Sequence, residues 1–69
     1  MPLDMIIDFV KDESRPIDQR LLAAELLGWY NMNHNKESII QSLKGIQTND
    51  AALKNEIEKS IARLEGKNR

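Results

Sequence analysis

Residues Leu53-Lys54-Asn55-Glu56-Ile57-Glu58-Lys59-Ser60-Ile61-Ala62-Arg63-Leu64 decide the fold class. Leu53, Ile57, Ile61 and Leu64 recur at three- or four-residue spacing, which lines one face of an α-helix. Lys54, Asn55, Glu56, Glu58, Lys59 and Arg63 fall elsewhere on the turn. A helix with a single apolar stripe lies on the outside of a fold with its other face wet. Ile39, Ile40, Leu43 and Ile46 form a second stripe upstream. Near the N-terminus Leu3, Ile6, Ile7 and Val10 follow the i, i+3, i+4, i+7 rule, with Met5 and Phe9 alongside and Asp4 and Asp8 on the other side. Between these, 17–30 is dense in helix formers: Leu21, Leu22, Ala23, Ala24, Leu26 and Leu27. No stretch alternates with period two over the length of a strand. The chain is predicted to be all-α.

Punctuation divides the four helices. Ser14 is placed to cap the second, with Pro16 in its first turn and Asp18 near the positive end of its dipole. Asn31-Met32-Asn33-His34-Asn35 is a polar connector whose last residue suits an N-cap, with Glu37 in the turn that follows. Thr48-Asn49-Asp50 offers caps for the fourth helix, Gly66 ends it, and Lys67-Asn68-Arg69 is a polar tail. Connectors of about three to five residues make sequential helices antiparallel neighbours. The second helix is apolar all round its wheel except for a seam holding Asp18 and Glu25. That pattern predicts a central helix touched by the first, third and fourth. The expected core is Ile6, Phe9, Leu22, Leu26, Leu27, Ile40, Leu43, Leu53, Ile57 and Ile61.

Size and charge bound what such a bundle can do. Sixty-nine residues allow one domain, 1–69, of marginal stability. No cysteine is present to add a disulfide or a thiolate metal site. Ten basic residues against eleven acidic ones leave a net charge of −1, which argues against nucleic acid or an anionic membrane as partner. With 41% hydrophobic and 30% charged residues the composition is that of a folded chain. The longest nearly apolar run, 21–30, is ten residues long and contains Glu25, whereas a membrane span needs about twenty. Met1-Pro2-Leu3-Asp4 has neither the basic region nor the cleavage site of a signal peptide, so the cytoplasm is the expected compartment.

The two halves overlay when shifted by 34 residues. Met5 falls on Ile39, Ile6 on Ile40, Phe9 on Leu43, Arg20 on Lys54, Ala23 on Ile57, Leu27 on Ile61 and Tyr30 on Leu64. Gln19 against Leu53, Asp12 against Ile46 and Leu26 against Ser60 are mismatches. The overlay implies a helical-hairpin repeat, with an ordinary four-helix bundle as the alternative. Arg20-Leu21-Leu22-Ala23-Ala24-Glu25-Leu26-Leu27-Gly28 resembles the second helix of a HEAT repeat of the short kind found in phycobilisome lyase-like proteins. Ile39 to Leu64 resembles one whole repeat, with Thr48-Asn49-Asp50 as its turn. Small residues at Ala23 and Ala24 suit close helix approach, and Gly28 suits an exit from the helix. The second repeat departs from the pattern at Ile57-Glu58, and Gln19 stands where an aliphatic belongs. The resemblance implies two stacked helical hairpins, repeat 1 at about 3–30 and repeat 2 at about 36–65. Tetratricopeptide repeats share the 34-residue period and partly fit Leu27-Gly28 and Asn35. However, Ile40 occupies their alanine position and no proline closes the second helix. Two repeats are fewer than the three or so that usually stand alone, which makes self-association or docking on a partner an expectation.

Reactive chemistry is sparse. His34 is the single histidine, with no cysteine or second histidine to share a metal. Asp4, Asp8, Asp12 and Glu13 form an acidic edge of the kind that is ordinarily solvated, or that weakly holds a divalent cation or a basic partner. No EF-hand loop and no phosphate-cradling glycine loop occurs, since Gly28, Gly45 and Gly66 are scattered. Ser14, Ser38, Ser42 and Ser60 lack a nucleophile context. No catalytic, cofactor or metal residue is assigned, and the chain is expected not to be an enzyme. The resemblance implies a protein-interaction or scaffolding module. A regulatory subunit of an enzyme whose active site lies on another chain is the alternative. Candidate partner contacts are Met5 or Ile7 on the first helix, Trp29 and Tyr30, and Asn55, Glu58 and Lys59 on the wet face of the fourth. Trp29 and Tyr30 are expected first of all to close one end of the core. The expected state is a monomer or weak homodimer whose first-helix patch is reserved for another protein.

Overall fold

Four helices account for most of the computed structural model, which describes residues 3–29 and 36–66. They are α1 (Leu3–Lys11), α2 (Ile17–Gly28), α3 (Lys36–Lys44) and α4 (Ala51–Leu64), with no strand among the described residues. The all-α prediction holds, with α1, α3 and α4 on three predicted apolar stripes and α2 on the stretch dense in helix formers, although Ile46 lies just beyond α3. The expectations for Tyr30, for the connector containing His34 and Asn35, and for Lys67-Asn68-Arg69 lie outside the described residues.

The caps explain most of the boundaries. Asp50 is the N-cap of α4, its carboxylate accepting from the Leu53 amide at 3.0 Å. Thr48 Oγ1 in turn accepts from the Asp50 amide at 3.1 Å. Gly66 follows α4 at φ 77°, left-handed backbone that glycine adopts without strain, and its amide donates to the Arg63 carbonyl. The cap assigned to Ser14 is corrected: Pro16 is the N-cap of α2 and no side chain caps there. Ser14 instead donates from both its amide and its hydroxyl to Asp12 Oδ1, at 3.0 and 2.6 Å, closing the connector between α1 and α2.

The packing neighbours are α1 with α2, α2 with α4, α3 with α4 and, more lightly, α1 with α3. One core runs through them: Ile6, Ile7, Val10, Ala23, Ala24, Leu27, Ile39, Ile40, Leu43, Leu53, Ile57 and Leu64, with Phe9, Leu21, Ile46 and Ile61 half-buried against it. The expectation that α2 touches the first, third and fourth helices is corrected, because α3 is not among its substantial neighbours. Its third side is open, and the expected core residues Leu22 and Leu26 stand 57% and 52% exposed. Ile7 is corrected the other way. It is buried while Met5 is exposed, since positions two apart on a helix point to nearly opposite sides.

Two polar contacts hold the helices in register. The Ser60 hydroxyl, fully buried in α4, donates to the Ala24 carbonyl of α2 at 2.7 Å. At the same crossing a Cβ on Gly28 would lie 2.7 Å from Ser60 Oγ, so α2 and α4 approach as closely as they do because Gly28 has no side chain. Gly28 therefore serves the packing rather than the exit from the helix; its φ is not positive. At the other contact Arg20, 6% exposed, donates from Nε to the Val10 carbonyl at 2.8 Å. That carbonyl belongs to the last turn of α1, where the helix itself supplies no donor.

Candidate functional site

The open side of α2 and the adjoining side of α1 form an apolar groove of about 310 Å³. Met5, Leu22 and Leu26 make its exposed walls, Ile6, Ala23 and Phe9 its floor, and Gln19 is its one polar side chain. Helix geometry explains the arrangement: Leu22 and Leu26 are one turn apart on α2, as Met5 and Phe9 are on α1. Three large apolar side chains left in water on one face of so small a fold are the most unusual feature of its surface.

Acidic residues flank the groove. Asp8 and Asp12 share a hollow with Met5 and Phe9 on the α1 side. On α2, Asp18 and Glu25 are exposed on the flank next to Leu22. Arg15 answers part of this charge, with Nε 3.4 Å from Asp12 Oδ2 and its guanidinium 4.5 Å from the Phe9 ring centroid. The hydrogen bonds from the Ser14 hydroxyl and amide hold the Asp12 carboxyl below its ordinary value, and Arg15 adds to the effect.

A second hollow, of about 380 Å³, opens at the other end of the helix array. Leu43, Ile46, Ile57 and Ile61 contribute apolar surface there, and Lys44, Lys54 and Glu58 contribute charge. It is wetter than the groove, and Lys44 Nζ lies 3.7 Å from Glu65 Oε2.

Of the candidate contacts, Met5 lies in the groove and Ile7 does not. Trp29 does not close the core. It is 62% exposed, with the Arg63 guanidinium 4.1 Å from its ring centroid. Arg63 Nη1 is buried with no hydrogen-bond partner among the described residues, so the aromatic face is what meets this cation. Asn55, Glu58 and Lys59 are exposed on α4, and Glu58 borders the second hollow. The sequence reading missed Leu22 and Leu26 as surface residues. Their signal was present in the all-round apolar wheel of α2, which indicates either a buried helix or a helix with an unpartnered side.

No group of three or more His, Cys, Asp or Glu side chains is placed to hold a metal among the described residues. Ser60 spends its hydroxyl on Ala24 and Ser14 spends its own on Asp12. No described helix is long and apolar enough to cross a membrane. Comparison with known proteins found no matching family model, no matching curated protein and no matching solved structure.

Proposed function

We propose that this chain is a non-catalytic helical-repeat module of the HEAT-like kind, working in the cytoplasm, that binds protein through the α1–α2 groove. The observation that carries the reading is the shared exposure of Met5, Leu22 and Leu26 on one face. Aliphatic surface concentrated in a concave site and rimmed by charge is the usual anatomy of a protein contact. Support for the repeat comes from spacing and from neighbour relations. α2 begins 34 residues before α4, and each hairpin packs its own two helices together while α2 meets α4 and α1 meets α3. The groove replaces the wet α4 face around Asn55, Glu58 and Lys59 as the favoured contact surface, because that face offers charge without apolar area.

Site-specific photocrosslinking tests the reading. A photoreactive residue at position 22, introduced into the full chain in native extract, is expected to trap protein, while the same residue at position 59 traps little. Adducts at 59 alone would move the contact to α4. No protein adduct at either position would end the reading.

A further inference from the structure

We propose that the α1–α2 groove receives the α3–α4 end of a second copy of this chain, in head-to-tail stacking that repeats the contact made inside the molecule. The proposal rests on the interaction-module reading and names the partner. Met5, Ile6, Phe9, Gln19, Ala23 and Leu26 line the groove. The residues 34 positions later are Ile39, Ile40, Leu43, Leu53, Ile57 and Ser60, all six buried; the seventh lining residue, Leu22, falls on half-buried Glu56. The second hairpin thus covers the side that the first hairpin leaves open. What lies against it is the first hairpin itself, as the bond from Ser60 to the Ala24 carbonyl demonstrates.

The face that does the covering also has a counterpart. Arg20, Ala24 and Leu27 are among the buried residues of α2, Ala24 accepting from Ser60 of α4 and Arg20 donating to Val10 of α1. Thirty-four residues on stand Lys54, Glu58 and Ile61, and all three line the hollow at the far end of the molecule. The basic position is kept, Arg20 to Lys54, and so is the aliphatic one, Leu27 to Ile61. The two open hollows are therefore the two unsatisfied ends of one stacking scheme.

Charge selects the pairing. Asp8, Asp12, Asp18 and Glu25 stand beside the groove; at the other end Lys44, Lys54 and Glu58 line the hollow, with Lys44 3.7 Å from Glu65. Residues 1–35 carry a net charge of −3 and residues 36–69 carry +2. Groove against groove would oppose each carboxylate to its own copy, whereas groove against far end brings opposite charges together. Glu58 stands where the inner contact has Ala24, so the intermolecular contact is looser than the internal one and the association is weak. A head-to-tail contact is heterologous and does not stop at two copies unless the rotation closes a ring.

Sedimentation velocity of the full chain from about 10 µM to about 1 mM tests this, a range that spans weak association. The weight-average sedimentation coefficient is expected to rise with concentration, and to rise less in high salt. Leu22→Glu disables the groove and Lys54→Glu disables the far end. Both positions are exposed, so both variants are expected to melt with the parent. Each alone is expected to weaken association at least ten-fold. An equimolar mixture of the two is expected to recover a one-to-one pair, because each variant keeps the face the other lacks. A parent that stays monomeric throughout overturns the proposal; adducts with a different protein at position 22 would then leave the module reading standing. Loss of association in Leu22→Glu but not in Lys54→Glu indicates two-fold pairing and also overturns it, as does a mixture that fails to pair.

Discussion

Gly28 sets two opposite expectations against each other. In most helical positions Gly→Ala stabilises by about 0.5–1 kcal/mol, through restricted backbone freedom in the unfolded chain. Here the new Cβ would lie 2.7 Å from Ser60 Oγ and 2.8 Å from Ser60 Cβ. Overpacking of that kind costs about 1–3 kcal/mol and wins. Gly28→Ala is expected to lower the urea midpoint. Adding Ser60→Gly should recover more of the loss than Ser60→Ala, which removes the Oγ contact at 2.7 Å but keeps the Cβ contact at 2.8 Å. A raised midpoint in Gly28→Ala would mean that α2 and α4 separate freely. Asp12 gives a pH signature from the surface. Its carboxyl titrates below 3.8 in the folded chain, so its contribution to stability is present above that value and is lost as the pH falls through the lower folded one. The urea midpoint of Asp12→Asn should therefore fall less than the parent's between pH 5 and pH 2; equal falls would mean that the Ser14 bonds contribute nothing in solution. Neither contact was legible from composition. The sequence offers Ser14 as a helix cap, and only the path of the connector shows that the hydroxyl reaches Asp12 first.

Stripes made the elements legible, and one stripe carries a direct test. Ile57 is buried in α4 between α2 and α3. Ile57→Lys removes apolar burial and leaves an ammonium without a partner, at a cost of several kcal/mol, on the order of the whole stability of a domain this size. Loss of the helical circular-dichroism signal at 25 °C is expected; a melt within a degree or two of the parent would mean that the α4 stripe is misassigned. The stripe holds at Leu53, Ile57 and Leu64 and departs from expectation at one place. Ile61 was expected inside, but Ser60 takes the buried place and Ile61 turns half toward the second hollow. A serine can replace an isoleucine there because its hydroxyl has a backbone carbonyl to meet and the crossing is too close for a larger group. Period alone does not carry that information. α2 failed differently. Its apolar residues were counted correctly, but a wheel counts side chains and not neighbours, and α2 has one neighbour fewer than its wheel could accommodate.

On the scale of the whole molecule, the class of fold and its four elements could be read directly, because local spacing determines both. Which helices touch could be read in part: α1 with α2, α3 with α4 and α2 with α4 pack as expected, whereas α2 with α3 does not. The polar contacts that fix the register, between residues 10 and 36 positions apart, were not legible. The groove was legible only by halves: an exposed patch at Met5 or Ile7 is expected and Met5 supplies it, while Leu22 and Leu26 are expected in the interior and stand exposed. The mismatched pairs of the 34-residue overlay, Gln19 with Leu53 and Leu26 with Ser60, carry the missing signal. Each sets a groove-lining residue against a buried one. One contact reaches beyond geometry. The Arg20 guanidinium is buried, and its Nε is bonded to a carbonyl at the end of a different helix. If α1 unwinds at that end, a buried cation loses its acceptor; if α2 lifts away, α1 loses the donor that its own backbone cannot supply. The two helices therefore have no inexpensive half-ordered state. α1 and α2 are expected to form and melt together, although each is too short to persist alone in water.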